Sequence, residues 1–277
     1  MNYLEFSFEI IPFKPWSEIV AAYLSDIDFD GFYYENEVLK AFIPEGSFRL
    51  NEFEEIMARV RESGINISYT RNDIPHQNWN KVWESNFDPV PITDDLLIVA
   101  PFHKKNKNYK WNIVIQPKMS FGTGHHQTTH LMCEAILRVD FKDCHVLDMG
   151  SGTGVLAILA EKKGAKKITA IDIEEWSVDS CNENSKLNDC QRIESLCGGV
   201  ELIDGKKFDV ILANINKNIL NAQMNAYYKA LNKNGFLYLS GFFETDVDEL
   251  TSFAKREGFF RKCMNVKEDW AMLVLQK

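Results

Sequence analysis

The organisation of the chain is clearest around residues 146–157, which read Val-Leu-Asp-Met-Gly-Ser-Gly-Thr-Gly-Val-Leu-Ala. The apolar residues before Asp148 predict a buried strand, and the apolar run after the glycines predicts a helix. Gly150, Gly152 and Gly154 form a turn between them, and glycines let a ligand approach the backbone without interference from a Cβ atom. In open α/β sheets, ligands bind at the carboxyl ends of the strands, where this turn lies. The stretch therefore predicts a ligand site on a parallel sheet.

The spacing of the glycines separates this turn from a dinucleotide-binding motif. The pattern is G-x-G-x-G, and Val155 stands where the fingerprint G-x-G-x-x-G has its third glycine. Asp148 adds a carboxylate, which suits an ammonium group of a ligand better than a pyrophosphate. We therefore expect a ligand that carries a positive charge.

Two later strands also end in polar residues. Residues 167–174 place Asp172 at the end of the next predicted strand after the glycine turn, and a carboxylate there accepts both hydroxyls of a ribose. The alternative is that Asp172 only caps a helix. In residues 208–215, Asn214 follows the apolar run, and its amide both donates and accepts hydrogen bonds. The alternative there is a loop residue without a ligand.

From residue 143 onward, short apolar strands alternate with amphipathic helices. That alternation predicts an α/β domain with a mostly parallel, Rossmann-like sheet and helices on both faces. The tail, residues 259–276, holds two apolar runs joined by a short link, which predicts an antiparallel pair at a sheet edge. The five strands predicted before the tail are 145–147, 167–171, 193–197, 208–213 and 236–240.

The N-terminal part of the chain, 1–75, predicts a small α+β domain. The order strand, helix, strand, strand, helix, strand is typical of a ferredoxin-like fold. Ser17 and Asn51 are the predicted N-caps of the two helices, and Gly64 is the predicted stop of the second. The predicted strands are 3–11, 31–34, 38–43 and 65–69.

A connector, residues 76–91, separates this domain from the α/β domain. Trp79, Trp83 and Phe87 lie four residues apart, which predicts a short helix with three aromatic side chains on one face. The predicted organisation is the small α+β domain at 1–75, this linker, and the α/β domain at 92–277.

Length and composition describe an ordinary folded chain. With 277 residues, of which 45% are hydrophobic and 26% charged, it fits a globular protein of two domains. It has no run of the ~18 apolar residues that a membrane span needs, and no basic start of a signal peptide. Its six cysteines form no C-x-x-C pair, and none has a histidine at a metal-ligand spacing. We therefore expect a cytoplasmic protein with reduced thiols and no metal site.

The negative charge is concentrated at the N-terminus. The net charge is −9, and the segment 1–75 holds 14 acidic and six basic side chains, a net of −8. A nucleic-acid-binding face has the opposite sign. An acidic module attracts a basic partner, and the alternative is that the acids only keep the domain soluble.

Taken together, the glycine turn, the acid at the second strand end and the antiparallel tail resemble the class I S-adenosylmethionine-dependent methyltransferases. A further segment, residues 121–130, reads Phe-Gly-Thr-Gly-His-His-Gln-Thr-Thr-His. It resembles the F-G-T-G-x-H-x-T-T loop of the ribosomal protein L11 methyltransferases, the PrmA family. The W-x-x-x-W-x-x-N-F-x-P connector, the A-I-D-I strand end at Asp172 and the A-N-I at Asn214 are similar too. The resemblance implies a seven-stranded sheet and S-adenosylmethionine as cofactor.

The resemblance also implies roles for individual residues. Asp148 and Gly150 would lie near the methionine end of the cofactor, and Asn214 at the site of transfer. His126 is a catalytic candidate because histidine titrates near neutral pH, and the alternative is that it only fixes the loop. The residues expected to contact the cofactor are Phe121, Gly122, Thr129, Asp148, Gly150, Gly152, Asp172 and Asn214.

The implied activity is methyl transfer to lysine or N-terminal amines of ribosomal protein L11, held by the acidic N-terminal domain. Residues 214–217 read Asn-Ile-Asn-Lys and lack the N-P-P-Y of methyltransferases that act on planar base amines, which fits an aliphatic amine. One alternative is an RNA methyltransferase, which requires a basic patch and aromatic stacking near the site. Another is a non-catalytic module that binds S-adenosylmethionine. Neither membrane association nor direct nucleic-acid binding is expected.

Overall fold

The computed structural model describes residues 2–74, 87–118 and 120–277. The chain forms two compact units, Met1–Asn86 (unit 1) and Phe87–Lys277 (unit 2). Among the described residues, no helix is long and apolar enough to cross a membrane.

The division between the units falls inside the predicted linker of residues 76–91. Residues 75–86, which include Trp79 and Trp83, lie outside the described residues, so the predicted connector helix remains a prediction. Phe87, the third aromatic residue of that pattern, begins unit 2, where its ring contacts the ring of His125 with centroids 5.0 Å apart.

Unit 1 is an antiparallel sheet with two helices, and its order of elements confirms the predicted one. The sheet has the order β2-β3-β1-β4, with β1 in the centre, as in a ferredoxin-like fold. The elements are β1 (Tyr3–Ile11), α1 (Trp16–Ser25), β2 (Gly31–Glu35), β3 (Val38–Pro44), α2 (Leu50–Glu62) and β4 (Asn66–Ile74).

The core of unit 1 follows from the alternation of apolar residues along β1. Phe6 and Phe8 are buried and pack against Phe53 of α2, with ring centroids 4.8 and 6.2 Å apart. Burial of an aromatic side chain contributes about 2 kcal/mol relative to exposure. This cluster therefore fixes the side of the sheet on which the helices lie.

The predicted N-caps of both helices are wrong. Helix α1 begins at Trp16, so Ser17 lies inside it and is fully buried. Helix α2 begins at Leu50, so Asn51 lies in its first turn. The N-cap residues are Pro15 and Arg49, and neither helix has a side-chain cap hydrogen bond. Gly64 follows the end of α2 with a φ of +80°, as its predicted role as the stop requires.

Unit 2 contains two sheets and five α-helices among its described residues. The small sheet, of order β5-β6-β7, consists of β5 (Val90–Thr93), β6 (Leu96–Val99) and β7 (Trp111–Val114). The large sheet and its helices comprise α3 (Gln127–Leu137), β8 (His145–Met149), α4 (Val155–Lys162), β9 (Lys167–Asp172), α5 (Glu175–Leu187), β10 (Ile193–Cys197), β11 (Phe208–Asn214), α6 (Lys217–Ala230), β12 (Leu231–Phe243), α7 (Val247–Glu257), β13 (Phe260–Lys267) and β14 (Trp270–Gln276).

The large sheet has seven strands in the order β10-β9-β8-β11-β12-β14-β13. Strand β14 is antiparallel to both of its neighbours, and the pairs from β10 to β12 are parallel. This confirms the predicted mostly parallel sheet and the antiparallel pair in the tail. The order reverses between β8 and β11, and such a switch point opens a crevice at the carboxyl ends of the strands.

The two faces of the large sheet are covered by different apolar clusters. Val146 faces a cluster with residues of α3 and α4, whereas Leu147 and Met149 face a cluster with α6 and α7. Successive strand residues point to opposite faces, so Asp148 points with Val146 toward α3 and α4. Its orientation decides its role in the site.

Candidate functional site

A cavity of about 350 Å³ lies at the carboxyl ends of β8, β9 and β11. That volume is within the range of small-molecule sites. Five of the residues predicted for the cofactor line it, namely Phe121, Gly150, Gly152, Asp172 and Asn214. These five come from four separate segments of the chain, and the sheet topology brings the segments together.

The glycine turn is packed against other parts of unit 2. Gly150 and Gly152 have φ angles of +73° and +52°, which side chains disfavour. A Cβ atom on Gly150 would collide with the side chain of Ile215, and one on Gly152 with the backbone carbonyl oxygen of Phe121. The sequence predicted room for a ligand at these glycines. The structure shows that the protein's own side chain and backbone also occupy that room.

Asp172 is the last residue of β9 and holds the turn with its carboxylate. Its Oδ2 accepts a hydrogen bond from the Gly152 amide at 2.9 Å, and its Oδ1 accepts one from the Glu174 amide at 3.1 Å. Glu174, not Asp172, is the N-cap of helix α5. A carboxylate has about four acceptor positions, so two remain for hydroxyl groups of a ligand.

Asn214 ends β11 on the other side of the cavity. Its Oδ1 is buried and has no hydrogen-bond partner among the described residues. Buried polar atoms are normally paired. The Asn214 side chain lines the cavity, so a small rotation of its amide would offer this unpaired oxygen to a ligand N–H or O–H. The neighbouring Asn216 is a residue that the sequence analysis missed. Its side chain caps α6 by accepting from the Ile219 amide at 3.2 Å, and it lines the same cavity.

The sequence analysis predicted that the carboxylate of Asp148 faces the ligand, and the structure places it elsewhere. Its side chain is 1% exposed, does not line the cavity, and accepts from the Ala157 amide of α4 at 3.0 Å. Burial raises the pKa of Asp148 to about 8, and the nearby charge of Asp172 adds to the shift. At neutral pH this group is therefore mostly a neutral acid that ties β8 to α4.

Thr129 is also removed from the cavity. It lies in the first turn of α3 and is fully buried, and its hydroxyl has no partner among the described residues. A side chain without accessible surface offers no contact to a ligand in this arrangement. Its predicted contact with the cofactor therefore rests on the resemblance alone.

The loop 120–126 lies directly on the glycine turn. The Phe121 carbonyl accepts from the Thr153 amide at 2.9 Å, and the Gly122 carbonyl accepts from the Thr153 hydroxyl at 2.7 Å. Phe121 itself is 52% exposed and borders both the cavity of about 350 Å³ and a second, open cavity of about 430 Å³. Gly122 lines that second cavity and is not among the described residues that line the first.

His126 is the N-cap of helix α3. Its Nδ1 accepts from the Thr128 amide at 3.2 Å, and its ring packs between Phe121 and Trp270 with centroids 5.2 and 4.6 Å away. Burial lowers the pKa of His126, although the charge of Glu268 opposes the shift. Because Nδ1 must be unprotonated to accept, the neutral ring fits the alternative in which His126 fixes the loop.

Apolar residues at the cavity were not recognised from the sequence. Ile173, directly after the strand-end Asp172, is 67% exposed and lines the cavity, as does Ile219 of α6. An isoleucine between two acids at a strand end is a weak signal of an apolar ligand surface. The cavity thus presents a carboxylate that accepts hydrogen bonds, an amide side chain and exposed aliphatic groups, which together fit a nucleoside with an apolar base face. No group of three or more potential metal ligands occurs in the described part of the chain.

Comparisons with known proteins agree with this geometry. A family model described as "Ribosomal protein L11 methyltransferase (PrmA)" matches residues 26–277. A ribosomal protein L11 methyltransferase of Porphyromonas gingivalis is 37% identical over 99% of this chain and 97% of its own. One from Phocaeicola vulgatus is 36% identical over 98% of both chains. The solved structure of a ribosomal protein L11 methylase from Lactobacillus delbrueckii subsp. bulgaricus matches with a TM-score of 0.64 and 28% identity, over 68% of this chain and 98% of that chain.

The glycine turn follows β8, a carboxylate ends β9, and the final strand β14 is antiparallel to its neighbours β12 and β13. That arrangement is a class I S-adenosylmethionine-dependent methyltransferase fold. The family match includes this domain and most of unit 1, and the similarity extends over nearly the whole length of the relatives. The chain belongs to the ribosomal protein L11 methyltransferase (PrmA) family.

Proposed function

We propose that this chain transfers methyl groups from S-adenosylmethionine to lysine or N-terminal amines of ribosomal protein L11. Family membership and the names of the relatives support the reaction and the substrate. The observation that carries the proposal is the cavity that Asp172 and Asn214 share. It combines a carboxylate with free acceptor positions and a buried amide oxygen that has no partner among the described residues.

The cavity residues divide into those that hold the cofactor and those that face the acceptor. The turn at Gly150 and Gly152 and the carboxylate of Asp172 would hold the ribose side, and Ile173 would cover the base. S-adenosylmethionine supplies a methyl group on a sulfonium, which is a good leaving group. The protein's contribution is to align donor and acceptor and to keep water out.

The acceptor amine must be neutral to attack, although a free lysine amine has a pKa of ~10.4. Burial against Phe121 would lower that pKa by penalising the charged form. The Asn214 amide would turn its buried Oδ1 toward the cavity, accept an N–H of the amine and so direct the lone pair of the amine toward the methyl group. His126 acts as a positioning residue in this scheme, because its Nδ1 is engaged by the Thr128 amide.

The acidic unit 1 would dock the basic substrate. The net charge of −8 on 1–75 attracts a positively charged protein and repels nucleic acid. This favours a protein substrate over the RNA alternative, and it suits an enzyme that acts on free ribosomal protein in the cytoplasm.

Intact-mass spectrometry of ribosomal protein L11, incubated with this protein and S-adenosylmethionine, tests the proposal. The expected result is a series of mass steps of one methyl group, and peptide mapping assigns them to lysine or N-terminal amines. Asp172→Ala serves as the inactive control. No mass change, with cofactor binding retained in calorimetry, would instead support the non-catalytic module.

A further inference from the structure

Helices α1 and α2 of unit 1 enclose a groove of about 330 Å³, here called the helix groove. Its floor is apolar and half-buried, formed by Tyr23, Ile27 and Ile56. Its rim carries the exposed carboxylates of Asp26, Glu52 and Glu55. The helix groove thus joins an apolar channel with a negatively charged opening.

Among the described residues, the charge of the three rim carboxylates is offset only in part, by Arg59, which lines the same groove. Within the described residues, none of them forms an ion pair. The cation that lines the helix groove is Arg59, and its guanidinium lies over the ring of Tyr23, 4.7 Å from the centroid. The Tyr23 ring of the floor therefore already binds the guanidinium of Arg59, while the carboxylates of the rim remain available for a partner.

The opposite, outer face of the sheet is less suited to a basic partner. There Lys40 donates a hydrogen bond to Glu35 at 3.0 Å, and the charge of Glu5 also acts on it. Part of the negative charge on that face is therefore already compensated. The helix groove combines rim carboxylates that form no ion pair among the described residues with an apolar floor for the stem of a long side chain.

We infer that the helix groove is the docking site for a lysine- or arginine-bearing segment of the basic protein substrate. The aliphatic stem of the docked side chain lies on Ile27 and Ile56, and its cation meets the rim carboxylates. A polyanion is excluded because the rim would repel it. The inference rests on the proposed function and adds the location and the chemistry of substrate docking.

The test compares the full-length Glu52→Gln/Glu55→Gln variant with Glu9→Gln/Glu62→Gln. Both variants change the charge of unit 1 equally, but Glu9 and Glu62 are exposed outside the helix groove. The groove variant is expected to raise KM for ribosomal protein L11 about fivefold with kcat unchanged, because each exposed ion pair contributes little on its own. Added salt should reduce the difference between wild type and variant. The control variant should keep the wild-type KM.

Calorimetric titration with ribosomal protein L11 gives a second readout that does not depend on turnover. Thermal unfolding first verifies that the groove variant is folded. The inference is overturned if this folded variant binds L11 as tightly as wild type. It is also overturned if the control variant weakens binding equally, since the effect would then be one of net charge. The proposed function fails by a different result, in which wild type binds L11 and transfers no methyl group.

Discussion

Asp172 allows the sharpest test of the cofactor site. Its two oxygens each accept one backbone amide, at 2.9 and 3.1 Å, which leaves about two acceptor positions for the ribose hydroxyls. A hydrogen bond to a charged group contributes about 1.5–3 kcal/mol. Loss of two such bonds, at the lower limit, costs about 3 kcal/mol. At about 1.4 kcal/mol per factor of ten, we expect Asp172→Ala to weaken S-adenosylhomocysteine binding about 150-fold.

Isothermal titration calorimetry measures this loss, with Asp179→Ala as the control. Asp179 is an exposed acid on α5, the helix that follows β9, and it does not line the cavity. The variant also loses the bond to the Gly152 amide, so the titration is repeated with an analogue that lacks both ribose hydroxyls. That analogue should bind wild type and Asp172→Ala with similar affinity. An equal loss for both ligands would refute the ribose role and leave Asp172 as a support of the turn.

Three further predictions concern the other side chains of the site. Asn214→Ala should lower kcat about tenfold or more with a smaller change in cofactor affinity, and an unchanged kcat would exclude Asn214 from transfer. Asp148→Asn removes a group whose pKa is raised from 3.8 to about 8, and the folded protein keeps this proton where the unfolded chain has lost it. Urea titrations at several pH values measure the difference in unfolding free energy between wild type and this variant. The difference should be largest below about pH 4. It should fall by at most about 6 kcal/mol as the pH rises and level off above about pH 8. His126→Ala should cost about 1 kcal/mol of stability by loss of the N-cap, and His126→Asn should restore most of it in thermal unfolding; no rescue would contradict the capping role.

The sequence predicted the parts of the fold that depend on local pattern. Apolar strands that alternate with amphipathic helices required a parallel sheet, and the positions of Asp172 and Asn214 at strand ends required a shared edge. Both side chains line the cavity in the structure. These features follow from periodicity and from the rule that parallel strands end on the same side.

The surroundings of Asp148 differ from the prediction because of where strand β8 ends. Strand β8 runs to Met149, so Asp148 lies one residue before its end and points toward α3 and α4. Asp172 is the last residue of β9 and remains at the edge. A sequence pattern does not fix a strand end to one residue, so two acids that look alike in the sequence have different surroundings.

Non-local contacts account for the other differences. The collision that a Cβ atom on Gly152 would meet comes from Phe121, which lies before α3 and β8 in the chain. Thr129 is buried by packing of α3 that its own neighbourhood in the sequence does not specify. The caps predicted at Ser17 and Asn51 followed residue preference, whereas the helices begin at Trp16 and Leu50 without a side-chain cap.

The hydrogen bonds from Thr153 to the carbonyls of Phe121 and Gly122 join the loop 120–126 to the glycine turn. The two segments therefore behave as one structural part, although they are distant in the chain. A chimaera with this loop from another methyltransferase and the glycine turn of this chain would lose the fit between the loop carbonyls and Thr153 of the turn. Grafting a new specificity onto this scaffold requires both segments to be exchanged together, or changes confined to side chains such as Phe121 that point away from the join.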